Sequence, residues 1–471
     1  MNNIQAVTTR KSYAMIVSFA SSIRLIMSTE KTEGFATLSK LHAKLVITAG
    51  IGFFTDAYDL FIIGIVTSIL KPIWHLSTLQ IAMLNGAALA SAAFGAIFFG
   101  FFSDRYGRKK LYGYEVLVLF FGALLSALSH SFAWLFVMRL IVGFGIGGDY
   151  PSSAVVVSEN ATHKNRGFLV LLVFAMQAVG LIVGPFLGSL LLASQLSPDV
   201  IWRVLLGLGA IPAASVFYLR RTIRESPHYL RSQQSIPIEV SRVVRDLAAP
   251  PEAGHSAYDR QYHRQTLFSK KWLLCLLGTS GAWFLLDIAF YGNGVSTVMI
   301  IDAIRPNASL LAHTIIAAGL FLLFAVPGYI LAAKYVDSIG RKPLQYLGFF
   351  MMGAMYLAIA LITNLDHHLL LFVFLFGISF FFVNFGPNTT TFLIPSEIYP
   401  TSIRARAHGI SAAVGKLGAC VGAFCLPFML KDFNISITMA AMGGVALLGI
   451  FTTLLIPEMK NKCLSETEIH H

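Results

Sequence analysis

Charged and amide side chains interrupt apolar runs at a small set of positions. Asp56 and Asp59 stand three apart, on one face of any helix that carries them. Glu115 opens another apolar run. Arg139, Asp149 and Tyr150 share a third, with Pro151 following as a residue that bends or breaks a helix. Gln177 is alone in its run, while Trp283, Asp287 and Tyr291 recur at i, i+4 and i+8. Asn384 and Asn388 flank Gly386-Pro387, and Lys416 is the one deep cation besides Arg139. A charged side chain at the centre of a membrane helix costs at least about 2.5–3.5 kcal/mol, so those that persist there are functional candidates. Together with the aromatic Tyr150, Trp283 and Tyr291, they read as a polar cavity with aromatic walls, the expected form of a small-ligand site. Carboxylates outnumber cations. Desolvation disfavours the charged form of a carboxyl, so several aspartates at depth point to proton coupling. On residue type alone the ligand is a small anion, a sugar or an organic cation.

Plainer readings exist for some of them. Glu115 lies close to the start of its run, where it can snorkel or pair with a loop arginine. Glu159 and Glu397 end apolar runs beside arginine-rich connections, and structural pairing suits them better than transport. Arg139 reads equally well as a structural partner. Gln177 alone could bond helix to helix, and Lys416 alone could belong to a structural pair. Asp56, Asp59, Asp149 and Asp287 lie too deep for pairing with loop arginines.

The elements that must position these groups are membrane helices. Of 471 residues 56% are hydrophobic and 12% charged, with a mean hydropathy of +0.70. Soluble domains carry about 25% charged residues. The deficit excludes a disulfide scaffold, a disordered regulator and an ordinary soluble enzyme. There is no GxSxG, HExxH or clustered His or Cys to support an intramembrane enzyme, and no metal or cofactor is expected. The four cysteines form no CxxC pair and no metal spacing. Runs of about 20 apolar residues, the length that crosses a bilayer, fall at 44–70, 79–102, 111–129, 132–157, 167–193 and 201–219. After a polar interval they fall at 271–300, 309–333, 343–363, 369–396, 407–430 and 435–456, making twelve spans of an all-α membrane protein.

The net charge of +12 does not indicate nucleic acid, because the cations sit in short clusters between spans. Connections at 129–133, 194–200 and 364–368 carry almost none, and three others carry one each, at Lys71, Arg305 and Lys431. The opposite set holds every cluster, so both termini and the central connection are expected on the cytoplasmic side of a cell membrane. An apolar stretch before Met27 suits an interfacial helix, and Met27 reads equally well as a start.

Landmarks repeat between the halves. Asp104-Arg105-Tyr106-Gly107-Arg108-Lys109 returns as Asp337-Ser338-Ile339-Gly340-Arg341-Lys342, an offset of 233. Glu159 returns as Glu397 and Asp56 as Asp287, at offsets of 238 and 231. Parallel six-helix repeats around a midplane site are a transporter architecture. The expected organisation is an N-terminal segment 1–43, a first half 44–222, a cytoplasmic linker 223–270, a second half 271–458 and a tail 459–471. Gly143-Phe144-Gly145-Ile146-Gly147-Gly148 satisfies GxGxxG, but it lies inside an apolar run with no strand before it. Its small residues are expected to let helices pack closely.

The segment Gly100-Phe101-Phe102-Ser103-Asp104-Arg105-Tyr106-Gly107-Arg108-Lys109 resembles the loop 2–3 motif of the major facilitator superfamily. Arg139-x-x-x-Gly143-x-Gly145 resembles its second motif. Four further segments resemble the phosphate:proton symporters within it: Gly147 to Ala154, Gly52 to Phe61, Trp283 to Gly292 and Asn384 to Phe392. The resemblance runs from Leu41 to Glu458. It implies that Tyr150, Gln177, Trp283, Asp287, Tyr291 and Asn388 contact phosphate, that Lys416 supplies positive charge, and that Asp56, Asp59, Glu115 and Asp149 serve a proton route. Asp104, Arg105, Arg108, Asp337 and Arg341 are the gating residues it implies. Arg224-Glu225-Ser226-Pro227 and Pro395-Ser396-Glu397 are similar to sugar porters of the same superfamily. Ser152 departs from the family, standing where a larger aliphatic residue is common. The expected activity is proton-coupled phosphate symport by a functional monomer. A sugar or organic-ion porter and a non-transporting nutrient sensor remain open alternatives.

Overall fold

The structure, a computed structural model, describes residues 40–106, 113–160, 166–220, 267, 269–362, 365–400 and 403–460. From Leu45 onward the described helices pack as one compact unit. Seventeen α-helices and no strand occur among the described residues. The first half contributes α1 (Lys40–Ile73), α2 (Thr78–Tyr106), α3 (Tyr114–Ala127), α4 (Phe132–Asn160), α5 (Arg166–Phe174), α6 (Met176–Ala193), α7 (Pro198–Leu208) and α8 (Ala210–Arg220). The second contributes α9 (Lys270–Val295), α10 (Thr297–Ile304), α11 (Leu310–Leu320), α12 (Val326–Ile339), α13 (Arg341–Ala360), α14 (Leu369–Phe385), α15 (Pro387–Ile398), α16 (Arg404–Asp432) and α17 (Ile435–Leu454). A π-helical turn, Phe321–Ala325, joins α11 to α12.

Read as spans, these are the twelve expected apolar runs. Eleven are long and apolar enough to cross a membrane; α3, with 14 described residues, is the short twelfth. Five of the expected runs are interrupted. α5 gives way to α6 at Ala175, α7 to α8 at Gly209, α9 to α10 at Ser296, α11 to α12 at the π-turn, and α14 to α15 at Gly386-Pro387. The last is the break expected from that dipeptide. α4, by contrast, continues through Pro151 to Asn160. Ending a helix in hydrocarbon would strand backbone groups without water, so the missing proline N–H is absorbed within a continuing helix.

The glycine-rich decoy is a packing surface. A Cβ on Gly143 would lie 1.9 Å from the Ala88 carbonyl, and one on Gly147 would lie 2.0 Å from that of Ala92. Only hydrogen side chains allow α4 to approach α2 that closely.

Candidate functional site

The deep polar residues converge where α1, α4 and the α5–α6 break face α9, α12, α15 and α16. Lys416, from α16, is 1% exposed. Its Nζ donates to Asp287 Oδ2 at 3.1 Å and to the Tyr291 hydroxyl at 2.8 Å. It also lies 4.0 Å from the Tyr291 ring centre and 4.5 Å from that of Tyr150. The Tyr150 and Tyr291 hydroxyls are 3.1 Å apart, joining the two halves. Gln177, just past the α5–α6 break, donates from Nε2 to the Tyr291 hydroxyl at 3.4 Å. Asn388 reaches Gln177 Oε1 at 3.3 Å from the start of α15. Trp283 packs on Tyr150, with ring centres 6.1 Å apart, and on Phe392. All seven predicted ligand-binding residues therefore meet in one place, buried and joined across the halves.

One contributor was absent from the sequence reading. The Tyr329 hydroxyl, from α12, donates to Gln177 Oε1 at 2.6 Å and accepts from Asn388 Nδ2 at 2.6 Å. It stands in Ala325-Val326-Pro327-Gly328-Tyr329, where only the Pro-Gly pair marks an irregular turn in an otherwise apolar run.

Aromatic layers close the site on both sides. Toward the N-terminal end of α1, Phe392 stacks on Phe174 at 4.3 Å and meets Phe53 edge-on at 5.1 Å. His408 Nε2 lies 3.1 Å from the Phe392 carbonyl and holds that ring's backbone. Toward the other end, Phe61 packs on Tyr291, Phe290 and Phe321. Phe53 and Phe61 are about 12 Å apart along α1 at 1.5 Å per residue. Asp56 and Asp59 lie between them.

The predicted proton-route residues divide. Asp56 is buried, with Oδ2 making no hydrogen bond. Neither Asp59 carboxyl oxygen makes one, although the Asp59 backbone carbonyl accepts from Arg139 Nη2 at 2.8 Å. Asp149 corrects the expectation that it lies beyond the reach of loop arginines. Both its oxygens are 2.7 Å from Nη2 of Arg220, and it also accepts from the Ser153 hydroxyl. Arg220 stands beside Arg221 and Arg224, a run that reads from sequence as a loop cluster, but it is the last residue of α8 and turns inward. Its Nη1 donates to Glu115 Oε1 at 2.8 Å, so Glu115 does pair with an arginine from that group. Buried charges need such compensation, because removing one partner leaves the other uncompensated. A small cavity lined by Gly52, Thr55, Asp56, Glu115 and Asp149 adjoins this cluster.

Of the predicted gating residues, the side chains of Asp104 and Arg105, and Arg108 altogether, lie outside the described residues, as does the Glu159 side chain. Asp337 and Arg341 are described. Arg341 makes a two-pronged contact with Glu397 at 2.9 and 2.8 Å and reaches Asp337 at 2.9 Å. Arg166, at the start of α5, lies 3.9 Å from Glu397, and the Phe168 backbone N–H donates to Asp337 Oδ2 at 2.9 Å. These contacts bridge first-half and second-half elements. Among the described residues, no three His, Cys, Asp or Glu side chains are grouped to hold a metal.

Comparison with known proteins agrees with this architecture. The family described as Sugar (and other) transporter matches residues 13–470. Inorganic phosphate transporter 1-4 of Arabidopsis thaliana is 36% identical, with 90% of this chain and 92% of the relative covered. Low affinity inorganic phosphate transporter 1 of Petunia hybrida is also 36% identical, with 90% and 91% covered. Among solved structures, the proton:xylose symporter XylE bound to 6-bromo-6-deoxy-D-glucose superposes with a TM-score of 0.75 at 20% identity, covering 91% of this chain and 98% of that one. A partially occluded inward-open form of the xylose transporter XylE from E. coli gives 0.73 at 18% identity, covering 90% and 100%. The chain belongs to the sugar (and other) transporter family of the major facilitator superfamily, alongside the plant inorganic phosphate transporters.

Proposed function

We propose that this protein carries inorganic phosphate across a cell membrane together with protons, by alternating access between the halves 44–222 and 271–458. One observation carries the reading most. A lone deep lysine, Lys416, is shared between Asp287 and a tyrosine hydroxyl among neutral donors from both halves. An anion in a low-dielectric site needs compensating charge and full hydrogen bonding. Lys416 supplies the charge, while Tyr150, Gln177, Tyr291 and Asn388 supply hydrogen bonds and Trp283 a wall. Asp287 accepts a proton carried by phosphate. The kinship with proteins named inorganic phosphate transporters supports the same substrate.

Coupling follows from charge. Ionised Asp287 and phosphate repel when side by side, so protonation of Asp287 and phosphate binding favour each other by the same factor. Asp56 passes the proton on, with Asp59 and the Arg220-held pair Glu115 and Asp149 along the route. Asp337 and Arg341, with Asp104, Arg105 and Arg108 of the matching motif, form the gate at the cytoplasmic end. Both termini and the linker 223–270 face the cytoplasm, and the working unit is a monomer in the lipid bilayer.

The test is uptake of labelled phosphate into proteoliposomes at imposed pH gradients. Inward acid-driven accumulation is expected, with arsenate competing through its similar tetrahedral oxygens. Sulfate should compete poorly, because at neutral pH it has no proton to give Asp287. Sulfate inhibition at phosphate-like concentrations would defeat the reading, and competition by glucose or choline would favour a sugar or cation porter. Binding without uptake would mark a sensor.

A further inference from the structure

Tyr329 is 1% exposed and follows the π-turn Phe321–Ala325 into α12. Its hydroxyl stands between two side-chain amides, Gln177 and Asn388, each at 2.6 Å. A side-chain amide has a donor end and an acceptor end and can exchange them by a half turn. Here a group that can only accept sets the direction. The Phe380 backbone carbonyl receives Asn384 Nδ2 at 2.7 Å, which turns Asn384 Oδ1 toward Asn388. Asn388 must then present its donor end, and Nδ2 lies 2.7 Å from that oxygen. The other Nδ2 proton goes to the Tyr329 oxygen. A hydroxyl has one proton, and with its oxygen already accepting, that proton goes to Gln177 Oε1. The carbonyl end of Gln177 is thereby occupied. Its Nε2 faces the Tyr291 hydroxyl, the same group that receives Lys416.

We propose that Tyr329 is a positioning residue for the transported anion: with Asn384 it relays the direction set at the Phe380 carbonyl, so that Gln177 turns its NH2 rather than its carbonyl oxygen to the substrate. A misdirected Gln177 would set an oxygen dipole against a negative ligand. The two relay residues act through Gln177 and need no contact with the anion. The inference rests on the phosphate reading above and deepens it.

Tyr329→Phe keeps the ring and removes the relay proton. Asn384→Leu removes the link to the carbonyl at a residue that itself takes no ligand role and bonds Asn388 rather than Gln177, so it makes the same test should Tyr329→Phe misfold. Each is expected to weaken phosphate binding by about tenfold, the scale of one charge-assisted hydrogen bond lost or reversed, while transport at saturating phosphate changes by less than about twofold. In a Gln177→Ala background, adding either change should cause no further loss. An equal loss in both backgrounds would make Tyr329 an independent contact and overturn the relay, as would unchanged binding in the single variants. A fall in saturated rate with unchanged affinity would assign Tyr329 to the transport cycle instead. Wild-type protein that binds no phosphate would overturn the substrate reading and this inference with it; wild-type binding with unchanged variants overturns the inference alone.

Discussion

Lys416 and Asp287 illustrate how a buried pair can be both structure and function. In the closed site they neutralise each other at 3.1 Å. When an anion enters, Lys416 can serve it only if Asp287 no longer needs the charge, and protonating Asp287 achieves this. Lys416→Ala should therefore weaken phosphate binding more than Lys416→Arg, by about tenfold or more, since an anion in a poorly solvated site loses the cation that faces it. Equal, wild-type binding by both variants would make Lys416 structural. Asp287→Asn mimics the protonated group. It should bind phosphate with an affinity less dependent on pH, yet lose accumulation driven by a pH gradient. Asp56→Asn should lose accumulation while binding stays largely intact. Accumulation by Asp287→Asn at the wild-type level would move the coupling site elsewhere. These residues were legible in the sequence because charge inside an apolar run is costly and therefore conspicuous. Tyr329 carries no charge and is at home in hydrophobic surroundings, so its type raised no question. Arg220 was hidden differently. A cation at a span end beside two others looks like a loop residue, and only the inward turn of α8 sets it against Glu115 and Asp149.

At the scale of the helices, length and hydropathy were enough to place eleven membrane-length spans among the described residues and the shorter apolar helix α3, because nothing but a helix satisfies its backbone in hydrocarbon. The interruptions were less legible. Gly386-Pro387 announces its break through chemistry, whereas Ala175 and the π-turn at Phe321–Ala325 have no breaking residue at the site itself. Tertiary packing decides them. Close approach is similarly invisible until the partner helix is known. A Cβ on Gly52 of α1 would lie 2.1 Å from Asp149 Oδ2 and 2.2 Å from Arg220 Nη2. Gly52→Ala must therefore push apart a buried ion cluster that cannot be re-solvated. Removing one partner of such a pair costs on the order of 3–5 kcal/mol, which sets the upper limit for displacing it. A markedly lower unfolding temperature is expected for purified Gly52→Ala, together with impaired transport. A variant as stable as the wild type would mean that α1 can shift and leave the cluster intact.

Across the whole molecule, the two halves are held at one end by polar contacts and in the middle by the ligand-site bonds. At the end predicted to be cytoplasmic, Arg341 and Glu397 form a buried pair; Arg166 reaches Glu397 and the Phe168 amide donates to Asp337, so both attach the first half. Gly100 and Gly409 bring α2 and α16 together nearby, with Ala405 fully buried beside them. Opening at this end must separate Phe168 from Asp337 and Arg166 from Glu397. Each contact therefore biases the equilibrium toward the closed form by its own free energy, and a ligand or proton can shift it only by a comparable amount. Glu397→Gln keeps the shape but removes the charge that draws in both arginines. In a background with the four native cysteines replaced by serine, Ala405→Cys should label slowly with a membrane-permeant thiol reagent. Adding Glu397→Gln should raise the labelling rate by about tenfold, corresponding to a shift of some 1.4 kcal/mol in the open population. Saturating phosphate should slow labelling again if the closed form binds it more tightly. Unaltered labelling in Glu397→Gln would show that the halves are kept together by the central hydrogen bonds and the helix packing, with the arginine cluster serving only the second half.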